Sequence, residues 1–189
     1  MTSKPNLSLV RREAAATSGS RAESLVRHWD PEYQLVGALL HLPRDRVAPI
    51  LDLVPGSAIW QPDNRWAIDI IRDVVARGDD PDPVLVLHTA RRRPPDDAAR
   101  PGESVSAARH HRFAIHLADL YTQAVTPAAA RQYARDVLED AYRRAVDAHA
   151  THAAELAQNG ASRSELSHHL AGMRATLAEL WRRAEAAAR

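Results

Sequence analysis

From residue 31 onward the hydrophobic positions of this chain recur at steps of three and four, and prolines stand where most of the runs begin. That pattern predicts a succession of helices and no strand. Asp30-Pro31 puts a capping side chain before a proline at the first helical position, and Leu35, Val36, Leu39 and Leu40 then form a stripe that ends at Pro43. A second short helix is expected to carry Val47, Ile50, Leu51 and Val54 and to stop at Pro55-Gly56, with Pro49 in its first turn or two. The third has the clearest signal. Pro62 opens it, Trp66, Ile70, Ile71, Val74 and Val75 make one stripe, and Gly78 follows as a left-handed cap. Asp82-Pro83 repeats the cap-then-proline signal and launches a short helix with Val84, Leu85 and Leu87 toward Arg91-Arg92-Arg93. Proline suits these starts because its missing N–H would have no partner there.

Residues 94–103 read as a loop by composition. A helix over about 104–124 is expected to bury Phe113, Leu117, Leu120 and Tyr121, although Arg109-His110-His111-Arg112 interrupts its pattern. Thr126-Pro127 starts a long alanine- and arginine-rich helix running to about Ala157, with Tyr133, Val137, Leu138, Ala141 and Tyr142 on one side. Asn159-Gly160 breaks it, and Ser162-Arg163-Ser164-Glu165 has the form of a capping box. A second long helix places Leu166, Leu170, Met173, Leu177, Leu180 and Trp181 at alternating steps of about three and four, so the pair forms an antiparallel hairpin. Residues 1–29 hold no lasting period and read as a disordered N-terminal arm. The expected organisation is all-α: the arm at 1–29, a small multi-helix globular domain at 30–125, and a helical hairpin at 126–189.

Composition narrows what such a fold could do. The chain is 45% hydrophobic, yet only 5% aromatic and rich in alanine, which favours helix but buries little area. The core must therefore rest on a few large residues. A formal charge of +1 supplies no overall field toward nucleic acid or anionic membrane. No cysteine is present, which excludes disulfide and thiol chemistry and suits a cytoplasmic location. No apolar run approaches the roughly 20 residues of a membrane span, and the N-terminus lacks the apolar core of a signal peptide.

Phosphate chemistry is excluded more firmly. Lys4 is the only lysine, no Gly-Lys-Ser/Thr occurs, and the glycines stand singly at helix ends and loops. A P-loop needs a Gly-rich turn and a lysine on the β/γ-phosphates, and a dinucleotide-binding turn needs clustered glycines. No catalytic residue, cofactor or metal is expected. Histidines are the remaining candidates for chemistry: His149 and His152 on one hairpin helix could approach one of His168 and His169 on the other. Zinc would need three or four ligands converging at about 2 Å, and a solvated helix tip is the ordinary reading of such residues. His110, His111 and His116 read as surface or half-buried. Arg91, Arg92 and Arg93, with Arg109 and Arg112, are candidate phosphate contacts, although a basic helix end also suits the helix dipole. The candidate interaction surface is the hairpin stripe, comprising Val137, Leu138, Tyr142, Leu166, Leu170, Met173, Leu177 and Trp181. A hairpin projecting from a small domain has few internal surfaces to cover it.

The order of these elements resembles the N-terminal domain of bacterial replicative DNA helicases of the DnaB type. Glu32-Tyr33-Gln34-Leu35-Val36-Gly37-Ala38-Leu39-Leu40 resembles that family's acidic-x-x-hydrophobic-x-Gly-Ala-Leu-Leu opening helix. Ala58-Ile59-Trp60-Gln61-Pro62-Asp63-Asn64-Arg65 is similar to its aromatic-x-Pro-x-(His/Asn)-Arg entry to the third helix. Arg77-Gly78 followed by Pro83-Val84-Leu85-Val86, and Tyr133-Ala134-Arg135-Asp136-Val137-Leu138-Glu139, continue the likeness over about residues 31–189. Its specificity lies in several weak motifs in the right order. The resemblance implies a helical globule plus hairpin that forms the collar of a hexamer and docks primase, with ATP hydrolysis and strand separation left to a motor domain. Partners would be a second copy or a replicative helicase, with primase or a helicase loader on the globule. One departure stands out: Arg109-His110-His111-Arg112-Phe113 replaces the family's Gly-Gly segment, which puts primase docking in doubt. The alternative reading is a nucleic-acid-binding accessory protein that uses the arginine-rich stretch 91–112.

Overall fold

Each cap-then-proline signal starts a helix in the computed structural model, which describes residues 29–95 and 105–189. The helices are α1 (Pro31–Leu39), α2 (Arg44–Leu53), α3 (Pro62–Ala76), α4 (Pro83–Ala90), α5 (Ala107–Gln123), α6 (Ala130–Gln158) and α7 (Arg163–Ala187). Single 3-10 turns at Gly56–Ala58 and Pro127–Ala129 lead into α3 and α6, and the described residues contain no strand. Asp30 accepts from the N–H of Glu32 at the head of α1, and Asp82 from Val84 and Leu85 at the head of α4. Gly78, at φ 98°, closes α3 as a Schellman cap: its own N–H reaches the Val75 carbonyl, and the Asp79 N–H reaches that of Val74. The expected arm, apart from Trp29, and most of the expected loop at 94–103 lie outside the described residues.

Pro49 falls in the second turn of α2, as expected, and the helix continues past it because Val47, Ile50 and Leu51 are buried on both sides of it. Burial of Leu or Ile side chains is worth about 1.5–3 kcal/mol each, enough together to outweigh one missing helical bond. In α4 the phase is shifted. Val84 is 75% exposed and Leu85 and Leu87 are only part-buried, whereas Val86, Thr89 and Ala90 face the core.

α1 is the axis of the molecule. Every residue from Glu32 to Leu40 is buried, with α5, α6 and α3 packed around it. Gly37 is where α5 comes closest: a Cβ there would lie 2.5 Å from the Leu120 carbonyl oxygen. The polar residues of this buried helix are bonded to backbone. Gln34 donates to the Gln123 carbonyl at 3.2 Å and accepts from the Val125 N–H at 2.9 Å, closing the end of α5. The Glu32 carboxylate accepts from the N–H groups of Trp60 (2.5 Å) and Gln61 (3.0 Å), at the entry to α3. Trp66 and Phe113 pack with ring centroids 4.1 Å apart and join α3 to α5.

The base of the hairpin belongs to the same core. Ala130, Ala134, Val137, Leu138 and Ala141 of α6 are buried, as are Leu180 and Ala187 of α7. Arg144 reaches from α6 to the Ala58 carbonyl at 2.5 Å and lies 3.6 Å from the Glu32 carboxylate. Arg183 reaches from α7 to the carbonyls of Asp52 and Leu53, while Arg72 of α3 takes those of Leu51 and Val54. Two arginines from different helices thus satisfy the otherwise orphaned C-terminal carbonyls of α2.

Candidate functional site

Beyond its base the hairpin has no cover. No residue between Ala141 and Leu180 is buried, and beyond Ala145, which still packs against the core, α6 runs on for roughly 20 Å alongside α7. The turn is built as expected: Gly160 adopts φ 72°, and Ser162 and Glu165 form a reciprocal capping box. The N–H of Ser162 donates to the Glu165 carboxylate at 2.7 Å, which holds that carboxyl below its usual range. On α6, burial pushes the Asp136 carboxyl up; a bond from Gln132 opposes this and the nearby Glu139 charge adds to it.

The expected interaction stripe divides in two. Val137 and Leu138 are fully buried against the globule, so they are core and not docking surface; they belong to the part of α6 that packs on α1. The other six positions remain accessible. Leu170 is 54% exposed and Trp181 61%, while Tyr142 of α6 and Leu166, Met173 and Leu177 of α7 are half-buried. Tyr142 and Trp181 meet edge to face at 6.3 Å. Around them Arg135, Glu139, Arg143, Leu180, Ala184 and Glu185 complete an open recess of about 360 Å³, with an apolar floor and a rim of both charge signs.

The hairpin also brings histidines together. His169 lies with its ring centroid 5.2 Å from that of His149 and 4.9 Å from that of His152, and its Nε2 is 2.9 Å from the His149 carbonyl oxygen. That contact occupies one ring nitrogen of His169, and His152 faces Glu155 at 3.4 Å. Among the described residues no group of three or more His, Asp or Glu is arranged to hold a metal ion. His168 is exposed.

At the other end of the molecule, Arg91 caps α4 and is exposed with Arg92, whereas Arg93 is committed inward. The Arg93 guanidinium pairs with Asp73 and its carbonyl accepts from the Trp66 indole N–H at 2.9 Å. Arg109 lies over the same indole, 5.6 Å from its centroid, so α5 does bring its basic segment to the arginine triplet. His110 sits 3.1 Å from the Leu87 carbonyl, and His116 pairs at 2.9 Å with the buried Asn64. Sequence reasoning named Glu32 and Asn64 only as motif positions, without their buried bonds, and did not name Arg144; their charge or polarity reads as surface until their partners are seen.

No helix among the described residues is long and apolar enough to cross a membrane. No protein-family model matches the chain, and no curated protein matches it by sequence. Among solved structures, the crystal structure of the N-terminal domain of DnaB helicase from Mycobacterium tuberculosis is similar, with a TM-score of 0.62 at 21% identity. The match covers 78% of this chain and 95% of that one. The chain has the all-α fold of the N-terminal domain of DnaB helicase, as the order of its sequence motifs suggested.

Proposed function

We propose that this protein is a non-catalytic protein–protein interaction module of DNA replication. It associates through the hairpin, with a second copy of itself or with the collar of a DnaB-type helicase, and it offers the globule to primase, a loader or a regulator in the cytoplasm. One observation carries the reading. Leu170 and Trp181 stand exposed on a projecting helix, beside Leu166, Met173 and Leu177, which α6 covers only in part. Exposed aromatic and long apolar side chains in a rim of mixed charge have the composition of an association surface. The apolar floor beside Trp181, with Arg135 and Arg143 against Glu139 and Glu185, suits a partner carrying the same mixed pattern. The likeness to a helicase N-terminal domain and the absence of a phosphate-binding loop from the sequence support the same reading.

Size-exclusion chromatography with light scattering tests it. The chain at tens of micromolar is expected to run above its 20.9 kDa monomer mass, or to shift when a DnaB-type helicase is added. Replacing Leu170 and Trp181 with Ser should abolish either behaviour while the helical circular dichroism persists. A strict monomer, indifferent to helicase, would refute the proposal.

A further inference from the structure

The corner where α4 ends and α5 begins gathers positive charge that the fold does not consume. Residues 83–93 and 107–112 contain Arg91, Arg92, Arg93, Arg109 and Arg112 and no acidic residue. The two segments are held together by side chains, not by mere proximity. The Trp66 indole donates to the Arg93 carbonyl on one side and carries the Arg109 guanidinium on its face, while His110 is in hydrogen-bond reach of the Leu87 carbonyl. Arg112 lies one helical turn beyond Arg109 and so stands on the same side of α5. Asp73 of α3 neutralises Arg93. The guanidinium groups of Arg91, Arg92 and Arg112 are exposed and bonded to nothing among the described residues.

We infer that this corner binds the phosphate backbone of a nucleic-acid duplex. Guanidinium groups match phosphate in a bidentate fork, and exposed ones on a fixed backbone lose little freedom in using it. The surroundings decide between the possible polyanions. The large hydrophobic exposed within 83–93 and 107–112 is Val84, two helical turns from Arg91, so no apolar anchor stands among the arginines as the centre of a protein interface needs. No exposed Phe, Tyr or Trp stands in these segments, and the exposed rings there are the small imidazoles of His88 and His111, so a broad platform for stacking single-stranded bases is lacking. A contact made only of cations fits the regular phosphates of a duplex, without base readout. The net charge of the whole chain is +1, so the attraction acts within about one Debye length, roughly 8–10 Å, and must be weak and salt-sensitive.

Fluorescence anisotropy of the full chain with a labelled DNA duplex tests this. Three phosphate contacts give a log–log salt slope near −2.7 and a loss of about 40-fold in affinity between 50 and 200 mM salt. The variant Arg91→Ala/Arg92→Ala/Arg112→Ala should flatten that slope and weaken binding at 50 mM by about tenfold or more. Arg163→Ala/Arg174→Ala, which removes two exposed arginines from α7 instead, should bind as the parent does. Absence of duplex binding at 50 mM salt, or equal losses in both variants, would overturn the assignment. So would displacement by polyglutamate at equal charge, which would make this a site for acidic protein, and so would tighter binding of single strands than of duplex. None of these outcomes bears on association through the hairpin, which is read by mass rather than by DNA.

Discussion

Replacing Glu32 with Ala removes a side chain that, with Arg144, ties α1, the entry to α3 and the hairpin together. Its carboxylate is almost wholly buried and accepts from the backbone N–H groups of Trp60 and Gln61, with Arg144 of α6 close by. Hydrogen bonds to a charged group contribute about 1.5–3 kcal/mol each, and since Trp60 and Gln61 are exposed residues, water takes up part of what the two donors lose. Arg144 keeps its bond to the Ala58 carbonyl and is about one-third exposed, so its share is partly screened. A net loss of about 3 kcal/mol results, near the lower end for breaking a buried charge pair. For a chain of this size that lowers the melting temperature by about 6–12 °C. Glu32→Gln retains the shape but turns a donor toward a donor, and should cost about 2 kcal/mol. The assay is urea denaturation at neutral pH followed by circular dichroism, with Arg144→Met and the double variant closing a cycle. The cycle should return a coupling of about 1 kcal/mol or more. A loss below about 1 kcal/mol in Glu32→Ala, with no coupling to Arg144, would refute the reasoning that this carboxylate fixes the hairpin on the globule.

Other expected outcomes follow from single contacts. Gly37→Ala would drive a Cβ against the Leu120 carbonyl and should cost about 1–3 kcal/mol by the same denaturation, since neither helix backbone can yield without disturbing the core. The Glu165 carboxyl titrates below its usual range in the folded hairpin, so its stabilising contribution is present above the unfolded value and disappears as pH falls through the folded one. Melting curves in this acid range should therefore show a loss that Glu165→Gln lacks. Asp136 has the opposite sign. Burial, aided by the like charges of Glu139 and Asp140, raises its folded value, so its penalty is full above that value and vanishes in acid below the unfolded one. Asp136→Asn should thus stabilise the protein by a few tenths of a kcal/mol, roughly the size of an i,i+4 charge effect, at neutral pH and by less in acid, as read from paired thermal melts.

The residues that were legible in the sequence are those whose chemistry is local. Caps at Asp30, Asp82 and Ser162, prolines at helix starts, and the left-handed Gly78 and Gly160 act within a few residues, and the structure repeats them. Periodicity reveals which face of a helix is apolar but not what covers it. That is why Val137 and Leu138 looked like part of an open surface when α1 in fact seals them, while Leu170 and Trp181 on the partner helix stay exposed. In α4 the four successive apolar residues Val84 to Leu87 carry no phase of their own. The bond from Arg77 to Thr89 and the burial of Ala90 set it, and both depend on how α3 lies alongside. The burial of Glu32 and Asn64 was missed for a related reason: a buried polar side chain is recognised by its partner, and the partners of these two lie far away in the chain.

The central claim is that the uncovered hairpin face is a place of association, and sedimentation velocity with fluorescently labelled protein tests it most directly. The labelled chain is run alone across a concentration series to tens of micromolar and then with an intact DnaB-type helicase, alongside the Leu170→Ser/Trp181→Ser variant. The expected result is a boundary that moves faster with concentration or with helicase, and a variant that stays at the monomer position in both. A single monomer boundary for the parent chain under every condition would contradict the claim.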